Sequence, residues 1–99
     1  MIRVQLPAPL RAIAKIDTDE LTFDLGGVVT PSMVVDAIEE AYPMLRGTIR
    51  DSTTRQRRAF VRYYACEHDI SHDSPDASLP IEVTSGEEPF LIIGAMSGG

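Results

Sequence analysis

The feature that most restricts the fold is an uninterrupted apolar run near the end of the sequence, Phe90 to Ile93. A strand with one face in solvent alternates apolar and polar residues, whereas a strand covered on both faces is apolar throughout. A turn-forming segment, Gly-Glu-Glu-Pro at 86–89, precedes the run. We therefore predict that residues 90–93 form the central strand of a sheet, buried on both faces.

Two alternating segments in the first part of the chain predict further strands. Residues 2–6 alternate apolar and polar side chains, and so do residues 21–25. This period of two places one set of side chains on a core. We expect these segments to form a hairpin. A turn or irregular loop should join them, because Pro7 and Pro9 cannot donate ladder hydrogen bonds.

A helix is predicted to begin at Thr30 and Pro31. A threonine oxygen can cap free backbone amides, and proline is tolerated at the first helical position. Pro43 should end the helix, leaving a short turn after it. The apolar stripe expected to face the sheet consists of Val34, Ile38, Ala41 and Tyr42.

The second half of the sequence completes the element order. Residues 59–65 predict a third strand, residues 67–78 an exposed polar loop, and Ile81 with Val83 a short strand. The resulting order predicts an α+β, ubiquitin-like β-grasp fold, with a mixed sheet of roughly four to five strands and one main crossing helix. We expect one domain over residues 1–99, with a flexible C-terminal tail at 94–99.

Charge and composition restrict the classes of partner. Fifteen acidic residues against nine basic ones give a formal charge of -6, the wrong sign for binding nucleic acid through the net field. No segment approaches the roughly 20 apolar residues of a membrane span, and the first residues are too short an apolar stretch for a secretory signal. Cys66, the single cysteine, cannot form an internal disulfide. We expect a cytoplasmic protein.

The sequence ends in Gly98 and Gly99. A tail of about six residues reaches at most about 20 Å, enough to enter the active-site cleft of a partner. Glycines can pass a narrow channel and bring the Gly99 carboxylate to the α-phosphate of ATP, where adenylation would activate it. The chain has no phosphate-binding glycine loop, so we expect no bound cofactor and no metal, and a protein substrate rather than an enzyme.

Four segments together resemble the MoaD/ThiS family of ubiquitin-like sulfur carriers. They are Ala41-Tyr42-Pro43-Met44-Leu45-Arg46-Gly47, Arg57-Arg58-Ala59-Phe60-Val61, the stretch 86–95, and terminal Gly98-Gly99. The third strand resembles the branch that includes molybdopterin synthase small subunits and carriers for cysteine biosynthesis. The family often has an Asn-Gly turn after that strand, whereas this chain has Cys66 and Glu67.

The resemblance implies three partners. An E1-like adenylating enzyme would use ATP to activate Gly99, and a sulfurtransferase or persulfide donor would convert it to a thiocarboxylate. An acceptor enzyme, such as a molybdopterin synthase large subunit, would then receive the sulfur. Molybdopterin synthesis is the first expectation for the pathway, followed by cysteine or thiamin synthesis.

The candidate site residues fall into two groups. Gly99, with Gly98, would carry the acyl-adenylate and thiocarboxylate chemistry. The residues expected to bind partners are Phe60, Arg58, Arg62, Met96 and Ser97. The cationic cluster around Arg58 also fits a solvated strand edge. Tyr63 and Tyr64 are adjacent, so at most one of them can lie in the core.

Two other functions fit the same sequence. The protein could be a ubiquitin-like modifier joined through Gly99 to lysines of target proteins, or a plain interaction domain without carrier chemistry. Cys66 and His68 suggest a thiol and a base, but no third group that would orient them is evident. His68 and His72 are four apart, and the serines and proline around them favour a loop over a rigid metal site.

Overall fold

The computed structural model describes residues 1–94. Within this range, five strands form one mixed sheet and three helices pack with it. The strands are β1 (Ile2–Gln5), β2 (Glu20–Phe23), β3 (Val61–Ala65), β4 (His68–Asp69) and β5 (Phe90–Gly94). The helices are α1 (Ala8–Ala14), α2 (Pro31–Ala41) and α3 (Ile81–Thr84), and a 3-10 turn follows α2 at Pro43–Leu45.

The last strand lies in the middle of the sheet, whose order is β2-β1-β5-β3-β4. β5 runs parallel to β1, with Val4 opposite Phe90, and antiparallel to β3. The central position predicted for residues 90–93 is therefore confirmed. The predicted burial on both faces is wrong. Phe90 and Ile92 face the core, whereas Ile93, on the other face, is 42% exposed.

Helix α2 begins as its sequence predicts. The Thr30 hydroxyl oxygen accepts a hydrogen bond from the Met33 amide at 3.2 Å, and Pro31 is the first helical residue. Val34 and Ile38 are fully buried. The predicted stripe is wrong at its end, where Ala41 is exposed, because the helix stops before Pro43 and its last turn passes beyond the edge of the core.

The irregular loop predicted after β1 is wrong, because residues 8–14 form helix α1. Pro7 caps the helix and Pro9 lies in its first turn, where a missing amide breaks no intrahelical hydrogen bond. Leu10 and Ala14, four residues apart, turn toward the core and are buried. The two prolines therefore mark the start of a helix, and β1 and β2 pair antiparallel across it.

The short strand predicted at Ile81 and Val83 is also wrong, because both residues lie in helix α3. In a strand, residues two apart would share one face. Here Val83 is fully buried and Ile81 is 76% exposed, as expected for the opposite sides of a single helical turn. Gly86 ends this segment at φ 88°, where an added Cβ would lie 2.6 Å from the Met1 carbonyl oxygen.

The predicted loop at 67–78 begins later than expected, because β4 pairs with β3 through Tyr64 opposite Asp69. Cys66 and Glu67 form the turn between these strands, at φ values of 51° and 66°. Glycine and asparagine usually occupy such left-handed positions in tight hairpins. The chain therefore keeps the hairpin while lacking the Asn-Gly pair that the resembled family often has there.

We expect Glu67→Gly to stabilise the protein by about 1 kcal/mol, because glycine adopts positive φ without the Cβ clash of glutamate. The free energy of unfolding from urea denaturation would test this. Glu87→Gly is the matched control, since Glu87 is an exposed glutamate without positive φ. The control should be neutral or slightly destabilising. Equal effects of the two substitutions would contradict strain in the turn.

Candidate functional site at the end of the central strand

The position of β5 determines where the chain leaves the sheet. Gly94 is the last residue of β5 and lies opposite Val61, the first residue of β3. Because β5 runs parallel to β1, both strands have their C-terminal residues at the same end of the sheet. The chain leaves the described part of the sheet at this end, at Gly94. Gly94, which we expected to open the tail, belongs to the strand.

The open face of the sheet carries an apolar surface close to this end of β5. Strand alternation places Leu91 and Ile93 on the face opposite the core, with Tyr64 beside Leu91 and Arg62 beside Ile93. Phe60 precedes β3 and is 46% exposed. We call these residues, Phe60, Arg62, Tyr64, Leu91 and Ile93, the exit surface. An exposed apolar group rimmed by polar residues is typical of a protein-binding site.

Tyr63 lies on the opposite face from Tyr64. It is 5% exposed, and its ring centroid lies 5.4 Å from that of Phe90. Tyr64 is half-buried on the exit surface. The expectation that at most one of the two tyrosines lies in the core is confirmed.

Arg62 supplies the positive charge of the exit surface. Its Nη1 lies 2.9 Å from Asp69 Oδ2, and both side chains are partly exposed. Hydrogen bonding from Ser71, and then the Arg62 guanidinium, hold the pKa of Asp69 below its ordinary value. The pair is therefore ionised at neutral pH. Because water screens such pairs, Arg62 can exchange Asp69 for a partner carboxylate at little cost.

Arg58 contacts a different part of the molecule. Its Nε donates to the Gly47 carbonyl oxygen at 2.9 Å, and its Nη1 lies 3.6 Å from Asp51. These contacts brace the connection between α2 and β3. The Arg58 side chain therefore contacts this connection, whereas Phe60 and Arg62 belong to the exit surface.

Arg50 has a structural role that the sequence did not indicate. Its side chain is only 4% exposed, with Nη2 2.9 Å from Glu39 Oε1 and 2.5 Å from Asp36 Oδ1. Burial opposes ionisation of Asp36, but Arg50 and Arg55 outweigh it and lower the pKa of Asp36. The three-residue spacing of Asp36 and Glu39 on α2 was the available signal, since it places both on one helix face.

Cys66 lacks the surroundings of a reactive thiol. Desolvation and the carboxylates of Glu82, Glu88 and Glu87 raise the pKa of its thiol. A raised pKa keeps the sulfur protonated, whereas nucleophilic cysteines need a lowered one. Cys66 is instead a structural residue of the tight turn between β3 and β4.

Among residues 1–94, no group of three or more histidine, cysteine or carboxylate side chains is arranged to hold a metal ion. In the same range, no helix is long and apolar enough to cross a bilayer. Met96, Ser97, Gly98 and Gly99 lie outside the described residues, so their expected roles stay predictions.

Comparison with known proteins identifies the fold. No protein-family model matches the sequence, and no curated protein matches it. SAMP1 from Haloferax volcanii matches in structure with a TM-score of 0.73 at 16% sequence identity, covering 98% of this chain and 97% of that one. A chain of the Amycolatopsis orientalis BexX/CysO complex matches with a TM-score of 0.75 at 16% identity, covering 100% of both chains. This protein therefore has the α+β, ubiquitin-like β-grasp fold.

Proposed function

We propose that this protein is a sulfur carrier whose Gly99 carboxylate is adenylated by an E1-like enzyme and converted to a thiocarboxylate. The observation that carries the proposal is the placement of β5. The central strand of a β-grasp sheet leads directly into residues 95–99, beside an exposed apolar surface. A partner that binds the exit surface would therefore have the Gly98-Gly99 segment within reach.

The chemistry needs little from the carrier beyond its carboxylate. A Gly99 oxygen attacks the α-phosphate of ATP, so that an acyl adenylate forms and pyrophosphate leaves. Hydrosulfide then attacks the acyl carbon, and AMP leaves with the electron pair of the broken C–O bond. When a persulfide attacks instead, an acyl disulfide forms, and a thiol reductant cleaves its S–S bond to release the thiocarboxylate. The adenylating partner supplies the groups that stabilise phosphoryl charge. The carrier is a protein substrate rather than a catalyst.

The exit surface suggests how partners recognise the carrier. Exposed Ile93 and Phe60 can bury apolar area in a partner, and Arg62 can pair with a carboxylate at the rim. The match to a chain of the BexX/CysO complex supports recognition by a partner protein, because that structure contains a second protein. The partners proposed here are an E1-like enzyme, a sulfurtransferase or persulfide donor, and an acceptor enzyme, all cytoplasmic.

For the acceptor, we propose first a molybdopterin synthase large subunit, and then an enzyme of cysteine or thiamin synthesis. The support is the resemblance of the segment 57–61 to the branch that includes molybdopterin synthase small subunits and carriers for cysteine biosynthesis. Shared structure with SAMP1 and with the BexX/CysO complex supports the sulfur-carrier group broadly.

Intact-mass analysis of the protein from its native host would test the proposal. We expect a fraction heavier by the replacement of one oxygen with sulfur, located to a C-terminal peptide that ends at Gly99. Methionine oxidation adds a similar mass, so the peptide should also be alkylated, because a thiocarboxylate reacts and a sulfoxide does not. A peptide that continues past Gly99, or a carboxylate unchanged by ATP, sulfide and host extract, would contradict the proposal.

The exit surface gives a separate prediction. We expect Ile93→Asp to raise the KM of the adenylating enzyme for the carrier at least about tenfold, because the carboxylate would have to be desolvated in the interface. ATP–pyrophosphate exchange measures this KM.

Ile81→Asp is the control for this prediction. Ile81 is more exposed, at 76%, and lies in α3, which precedes β5 and so belongs to the opposite end of the strand. The control should leave the KM within about twofold. Equal losses in the two variants, with both folded by circular dichroism, would show that the exit surface is not the docking site.

A further inference from the structure

A separate cavity lies on the core side of the sheet. It has a volume of about 790 Å³ and lies between the start of α2, residues 50–57 and residues 71–76. Val35 and Tyr63 contribute apolar surface, while arginines and hydroxyl groups supply most of its polar lining. No residue of the exit surface lines it.

The Tyr63 hydroxyl opens into this cavity. The residue is 5% exposed and lines the cavity, and in residues 1–94 its hydroxyl has no hydrogen-bond partner. No buried side-chain polar atom in this range is both sealed from solvent and unpaired, so the space that reaches the hydroxyl is the cavity. Burial raises the pKa of Tyr63 to about 12. The phenol therefore keeps its proton at neutral pH and can donate it in a hydrogen bond.

Arg57 lines the same cavity as Tyr63 and adds a positive charge to it. Its Nε donates to the Ser71 carbonyl oxygen at 3.0 Å, and its Nη1 donates to the carbonyl oxygens of Val61 at 2.6 Å and Arg58 at 3.0 Å. No carboxylate in residues 1–94 pairs with it. Carbonyl oxygens fix the guanidinium without neutralising its charge, whereas Arg50 and Arg55, in the same lining, are paired with acids.

We propose that this cavity binds the oxyanion group of a small molecule, a phosphate or a carboxylate. Its oxygens would accept hydrogen bonds from the Tyr63 hydroxyl and from the free Nη2 of Arg57. His72 at the mouth adds a third potential donor. Asp73 and Asp76 also line the mouth, but both are exposed, and water screens their charge. The site is independent of Gly99 chemistry.

An NMR titration of the full chain would test the proposal. Inorganic phosphate and acetate are added separately, and sodium chloride at equal ionic strength serves as the reference. We expect saturable shifts of the Arg57 Nε–H and of the amides of residues 71–76 with at least one oxyanion. Whichever anion binds more tightly identifies the group as phosphate or carboxylate. Shifts equal to those caused by sodium chloride would overturn the proposal.

A matched pair of tyrosine variants tests the assignment of the site. Tyr63→Phe removes the hydroxyl and keeps the ring that packs on Phe90, so the fold should persist. Tyr64→Phe makes the same change on the other face of the sheet. We expect Tyr63→Phe to weaken oxyanion binding about tenfold, since it removes one hydrogen bond to a charged acceptor, and Tyr64→Phe to leave binding unchanged. Equal affinity of the two variants would overturn the proposal.

Discussion

Deletion of Gly99 is expected to reduce adenylation of the protein to the background of the assay. The remaining Gly98 carboxylate would stop one residue short of the α-phosphate, a shift of about 3.5 Å. A displacement of that size removes the near-attack geometry on which the reaction rate depends. ATP–pyrophosphate exchange with the host adenylating enzyme is the measurement, made at saturating ATP with the carrier varied.

Ser78→Ala, a small change at an exposed position of the loop before α3, is the control and should keep at least about half of the exchange rate. The thermal midpoint should stay the same for both variants, because neither change alters a strand of the sheet that residues 1–94 form. Full exchange by the deletion variant would show that the Gly99 carboxylate is not the activated group. A lowered thermal midpoint would instead assign the terminal residues a structural role.

Arg50→Met is expected to destabilise the protein by about 3–5 kcal/mol, because it leaves the acidic groups of Asp36 and Glu39 without their buried cation. Glu39 carries most of this cost, since its side chain is 12% exposed and that of Asp36 is 50% exposed. For a domain of this size, the loss corresponds to a fall in thermal midpoint of roughly 12 °C or more. Urea denaturation and differential scanning calorimetry would measure it.

Two further variants separate this buried pairing from ordinary surface charge. Arg55 also contacts Asp36, at 2.6 Å, but its side chain is 55% exposed, so Arg55→Met should cost less than about 1 kcal/mol. Adding Asp36→Asn and Glu39→Gln to Arg50→Met removes the unpaired charges and should recover part of the stability. Similar losses in the Arg50 and Arg55 variants would contradict the role assigned to burial.

The elements that the sequence predicted correctly are those specified by neighbouring residues. Thr30 and Pro31 define the start of α2 through local capping, and the apolar run at 90–93 implies a central strand whichever strands flank it. The incorrect elements are short. Residues 8–14 and 81–84 are too brief to show a helical period clearly, and Pro7 and Pro9 suggested a loop in the first of these segments.

The exit surface was only partly predictable. Phe60 came from the resemblance of its segment and Arg62 from the cationic cluster, but the place of Arg62 beside Ile93 depends on the register between β3 and β5. The sequence alone does not determine which residues of β3 and β5 pair. The ion pairs of Arg50 were not predicted, because its partners come from another part of the chain. Asp36 and Glu39 lie 14 and 11 residues away from it in sequence.

The central position of β5 also constrains when the protein can fold during synthesis. The ribosome makes β5 after every other strand of the sheet, yet β1 and β3 contact each other only through it. Val4 pairs with Phe90, so the two halves of the sheet can join only after β5 has been synthesised. Long-range pairing of this kind delays folding until its last segment is available. A nascent chain broken off before β5 would stay unfolded and open to proteases, so a folded molecule would always be one whose synthesis had reached the strand that precedes residues 95–99.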